Sequence, residues 1–92
     1  MTTNSVEETL TQRGGVYGDY VVQSALSVHI KNIFRTSPSW HLLSEYQQEA
    51  LDMIAVKIAR LLVGNPNYID SWHDIAGYSS LVVKELEKRG KK

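Results

Sequence analysis

The chain of 92 residues has no cysteine. This excludes disulfides and thiol chemistry, and it fits a reducing cytosol, so a cytoplasmic location is expected. No apolar run approaches the roughly 20 residues that cross a bilayer, so no membrane partner is expected. Residues 1–10 are polar and acidic, unlike a signal peptide. There is no excess of either charge, because ten Lys and Arg balance ten Asp and Glu. A nucleic-acid binder carries a basic excess to displace counterions, so nucleic acid is not an expected partner. The only basic run, Lys84, Lys88, Arg89, Lys91 and Lys92, is interrupted by Glu85 and Glu87. Period-2 alternation is also missing, which leaves no candidate strand.

What is present is helical periodicity. Residues 1–4 are expected to be a disordered N-terminus, residues 5–89 one helical domain and residues 90–92 a flexible basic tail. Ser5 and Glu8 form a capping-box pattern, which predicts a short helix over 6–12. Three glycines in the next segment, Gly14, Gly15 and Gly18, predict a loop over 13–19. Asp19 is placed to cap a second helix reaching about Arg35. Its side chains Val22, Ala25, Leu26, Ile30, Ile33 and Phe34 share one side, and Ser24, Ser27, Lys31 and Arg35 take the other. His29 sits at the edge of the apolar arc. Pro38 follows the helix end, and Trp40, Leu42 and Leu43 are expected to tuck the connection onto the core.

Ser44 with Gln47 opens a third helix that runs to Val63, where Gly64 and Pro66 stop it. Leu51, Ile54, Ile58, Leu61 and Leu62 form its main apolar stripe. Met53, Val56 and Val63 add a second side, the pattern of a central helix or of one that meets another chain. Asp70 or Ser71 is expected to cap a fourth helix with Trp72, Ile75, Val82, Val83 and Leu86 on its apolar face. Gly77 inside that helix costs about 1 kcal/mol against alanine, which close packing would explain. The expected fold is all-α: a small bundle of three main helices plus a short N-terminal one. A core this small is expected to be completed by homo-oligomerisation.

Two constellations carry chemistry. Glu45, Glu49 and Asp52 share one side of the third helix, with no base one turn ahead to neutralise them, and like charges so spaced destabilise a helix. Asp70 and Asp74 are one turn apart on the fourth. Antiparallel packing would set Asp70 and Asp74 nearer Lys57 and Arg60 than Glu45. Carboxylates of this kind suit Mg²⁺, which bridges one or two of them to substrate phosphates while keeping several waters. Lys57 and Arg60 would then neutralise phosphate charge. The capping reading of Asp70 and Asp74, as acids at a helix start, competes with this. The second constellation is Arg13, Tyr17 and the glycines around them, a turn able to present N–H groups to an anion. It lacks the lysine and hydroxyl of a P-loop.

The segments Arg13-Gly14-Gly15-Val16-Tyr17-Gly18-Asp19, then residues 50–60 with Lys57-x-x-Arg60, then Asp70-x-x-x-Asp74-Ile75-Ala76-Gly77-Tyr78 resemble small phage and prophage proteins of unassigned function. That group is distantly similar to the MazG-type all-α nucleoside triphosphate pyrophosphohydrolases, which are oligomeric helical bundles that bind Mg²⁺ through helix carboxylates. The resemblance implies a Mg²⁺-dependent nucleotide-binding protein, active or degenerate as a pyrophosphohydrolase, in the host cytoplasm if phage-encoded. It maps metal ligation onto Glu49, Asp52, Asp70 and Asp74, and catalysis onto Glu49, Asp52 and Asp74. Arg13, Tyr17, Lys57 and Arg60 are the expected ligand-binding side chains. The rival expectation is a non-enzymatic module that binds and inhibits a host or defence protein complex, given the incomplete acid set and the plentiful apolar helix surface.

Overall fold

In the computed structural model, residues 2–90 are described, with side chains from residue 5. Met1, Lys91 and Lys92, where part of the disordered terminus and the basic tail were expected, lie outside the described residues. Four α-helices follow in order: α1 (Thr2–Tyr17), α2 (Tyr20–Thr36), α3 (Glu45–Val63) and α4 (Ile69–Lys88). A single turn of 3-10 helix, Trp40–Leu42, joins α2 to α3. Among the described residues there is no strand, and no helix is long and apolar enough to cross a membrane.

Local chemistry explains most of the ends. Asp19 caps α2 by accepting from the Val22 N–H at 3.1 Å. At α3 the Ser44 N–H donates to Gln47 Oε1 at 2.9 Å. The short N-terminal helix is a correction. It does not stop at residue 12 but continues through Gly14 and Gly15 to Tyr17, and it starts ahead of Ser5, which therefore lies inside it. Only Gly18 adopts a left-handed backbone in this segment, with φ of 79°. The α4 cap is a second correction. Tyr68 occupies the cap position, and Asp70 and Ser71 are already helical.

Tertiary contact accounts for the first correction. The chain turns at Gly18 directly against the C-terminal end of α3, where a Cβ on Gly18 would press on the Val63 carbonyl. A Cβ on Gly64 would collide with the Val16 and Tyr17 backbone. The Asn65 N–H donates to the Val16 carbonyl at 2.6 Å. This backbone-to-backbone seam fixes the end of α1 and outweighs the weak helix propensity of two glycines.

α3 is the middle helix. Ala55 and Ala59 are fully buried, and Ala50 and Leu61 nearly so. The main helix contacts are those of α3 with α2 and with α4, whereas α2 and α4 are not packed on each other to a comparable extent. The alanines let the neighbouring backbones come close, so the three long helices lie as a layer instead of closing around a common centre. The whole chain measures 50 × 27 × 26 Å, longer than the roughly 30 Å of its longest helix. Its radius of gyration is 15.8 Å, against about 12 Å for a compact chain of this length.

The expected facing of α2 is corrected in part. Gln23 and Ser27 are buried against α3, whereas Val22 and Ile33 are 54% and 65% exposed. The polar Gln23 and Ser27 take the inner side of α2, with Leu26, Ile30 and Phe34 half-buried beside them. Leu42 is also exposed, although Trp40 stacks on Phe34 with centroids 5.8 Å apart. Close packing does not explain Gly77, since nothing lies within 4 Å of a Cβ built there. Gly77→Ala should therefore raise stability by about 1 kcal/mol, visible as a higher urea midpoint with unchanged slope.

Candidate functional site

The expected site residues divide into three places. The first cluster forms where the C-terminal half of α3 meets the end of α1 and the start of α4. Lys57 Nζ pairs with Asp74 Oδ2 at 3.0 Å, as antiparallel packing of α3 and α4 requires. The Lys57 side chain is 13% exposed and that of Asp74 48%, so the cation is the sheltered partner. One turn on, the Arg60 guanidinium lies over the Tyr17 ring, 4.4 Å from its centroid. Arg60 Nε is buried and has no hydrogen-bond partner. Tyr17 meets Tyr68 edge to face at 5.8 Å, and the Tyr68 hydroxyl donates to Asp70 at 3.2 Å. That hydrogen bond to Asp70, and the negative charge it carries, raise the Tyr68 phenol above its ordinary value.

Tyr17, Lys57, Arg60, Asp70 and Asp74 thus come together, and Tyr68 joins them. Nothing in the sequence pattern singles out Tyr68, because it lies outside any helical period and acts by bridging two elements. Arg13 stands exposed on α1, one turn before Tyr17. The glycine-rich anion turn expected around it does not form. Residues 13–17 are helical, and the Gly18 N–H is already bonded to the Gly14 carbonyl.

The second place belongs to Asp52. It takes a two-pronged hydrogen bond from Arg35 of α2, at 2.7 and 3.0 Å. Hydrogen bonding to Arg35 comes first among the causes that hold Asp52 below its ordinary value of 3.8, and the charge of Lys31 adds to it. A group depressed in the folded state contributes stability above its unfolded pKa and loses it as pH falls through the folded one. Stability should therefore fall as pH drops below about 4. Glu85, depressed by its hydrogen bond to Arg89, acts in the same direction. Asp52→Asn should shallow that acid loss in a urea titration at several pH values.

The third place holds Glu49. It lines an open groove of about 500 Å³ between the N-terminal half of α3 and the C-terminal half of α4, with Tyr46, Tyr78 and Leu81. One end is walled by Arg89, which lies over Tyr46 and pairs with Glu85 at 2.8 Å. Glu49 is eight residues from Lys57, about 12 Å along the helix. The four acids Glu49, Asp52, Asp70 and Asp74 are consequently not gathered in one chain. Among the described residues no three Asp, Glu or His side chains form a metal-holding group. Asp70 and Asp74 alone, one turn apart, are hard oxygen donors of the kind Mg²⁺ uses when water and phosphate complete its shell.

Residues 5–86 match the model of a family described as Domain of unknown function (DUF6378), and the chain belongs to that family. No curated protein and no solved structure matches it.

Proposed function

We propose that this member of the family is a homo-oligomeric protein that binds a phosphate-bearing ligand, a nucleotide, at the junction of α1, α3 and α4. The observation that carries the reading is Arg60, held over Tyr17 with a buried Nε that no protein group satisfies, one turn from the sheltered Lys57. A buried unpaired donor beside a second cation suits an anionic oxygen. Asp74 keeps Lys57 neutralised until a phosphate replaces it, and Asp70 and Asp74 are then free to hold Mg²⁺ against that phosphate. Bound Mg²⁺ would supply charge neutralisation and orientation of the phosphates. The resemblance to MazG-type pyrophosphohydrolases supports the same ligand class. Of the acids assigned to catalysis, only Asp74 lies in this cluster, so binding is better supported than hydrolysis.

The test is thermal unfolding with nucleoside triphosphate, with inorganic phosphate, and with each in the presence of Mg²⁺. A ligand at a hundred times its Kd adds about 2.7 kcal/mol. In a chain this small that raises the midpoint by more than about 10 °C. Lys57→Met and Arg60→Met should each abolish the rise while keeping the helical circular dichroism. No shift with any of these ligands sinks the reading. Nucleoside monophosphate and pyrophosphate released from triphosphate and water would extend it to hydrolysis.

A further inference from the structure

The layer has two unlike faces. At about 100° per residue, the site residues of α3 and α4 and the Arg35–Asp52 pair fall on one of them. On the other, Val22 and Ile33 of α2, Ile58 and Leu62 of α3, and Trp72 and Val83 of α4 run side by side. Ile58 is partly covered, and the other five are more than half exposed. Among the described residues, helical angle brings few ionisable side chains to this face: His29 and, at the rim, Asp19 and Glu87.

We infer that this apolar face docks a second copy of the chain, leaving the two Lys57–Arg60 sites on opposite outer surfaces of the dimer. Area is the first argument. The chain exposes 6794 Å², whereas a compact protein of 10.4 kDa exposes about 5400 Å². The excess of roughly 1400 Å², shared between this face and the exposed arm of α1, leaves room for the ~800 Å² per partner of an ordinary stable interface. Charge is the second argument. A face spread over three helices with almost no ionisable group offers nothing to a charged partner, and it matches its own copy without leaving a charge buried.

The absence of cysteine makes the test direct. Four single variants are compared by maleimide labelling: Ile33→Cys and Val83→Cys on the apolar face, Val28→Cys and Leu81→Cys elsewhere. All four positions are more than half exposed in one chain. Light scattering should give twice 10.4 kDa at tens of micromolar. Labelling at Ile33→Cys and Val83→Cys should be an order of magnitude slower than at the other two, and dilution to monomer should remove the difference. The double variant Ile33→Lys, Val83→Lys should be monomeric and still helical. A monomeric parent with four equal rates overturns the inference and leaves the face to a foreign apolar partner. A dimer that protects Val28→Cys and Leu81→Cys instead overturns it equally. The inference rests on the homo-oligomeric part of the proposed function, which falls with it, whereas the ligand response is measured separately and can fail alone.

Discussion

Gly64→Ala is expected to be among the most damaging small substitutions in the chain, lowering stability by about 3 kcal/mol in urea unfolding. A 92-residue domain holds roughly 5–14 kcal/mol in total. The chief reason is not a left-handed backbone, since φ at Gly64 is −103°. It is space. The added methyl would occupy the position of the Val16 carbonyl and the Tyr17 backbone, and backbone cannot rotate away as a side chain does. Relief requires the end of α1 to lift. That breaks the Asn65–Val16 hydrogen bond and draws Tyr17 off Arg60. The same variant should therefore lose the response to nucleotide in whatever fraction remains folded. Gly15→Ala supplies the control, because nothing lies within 4 Å of its added carbon, and it should be neutral or stabilising. Equal effects of the two substitutions would remove the seam from the account of the fold.

Asp74→Asn should have the second large effect, and its pattern is more informative than its size. Losing the partner of a sheltered lysine destabilises the chain by about 2 kcal/mol without ligand. The cluster then keeps Lys57 and Arg60 against Asp70 alone, so it becomes more attractive to anions. Inorganic phosphate should therefore restore the lost stability, and it should do so without Mg²⁺, where the parent needs the metal to bring phosphate beside two acids. Thermal unfolding with phosphate, with and without Mg²⁺, reads both results. A structural ion pair without a ligand role predicts the stability loss and no rescue. Asp74→Asn that is indifferent in every respect would remove Asp74 from both roles.

Much of the architecture was legible in the order of residues. The all-α class, the boundaries of α2 and α3, the Asp19 cap and the Ser44–Gln47 box depend on side chains and backbone a turn apart, and local sequence contains both partners. The nearness of Asp74 to Lys57 followed from antiparallel packing of consecutive helices. The α1 end was misread because Gly14 and Gly15 are indistinguishable in sequence from turn glycines. The turn that follows them is fixed by contact of Val16 and Tyr17 with Gly64 and Asn65, about fifty residues away in the chain.

From α2 onward, sequence by itself determined which segments are helical and which side of each is apolar, because a period of 3.6 residues is written along the chain. It could not determine which apolar side would be used. α2 turns inward the side that holds Gln23 and Ser27 with half-buried Leu26, Ile30 and Phe34, and Val22 and Ile33 face outward. The acids show the same division. Glu49 and Asp52 lie on one side of α3, yet Asp52 meets Arg35 while Glu49 borders a separate groove. A helix face is a local property, but its neighbour is decided only when three helices pack at once.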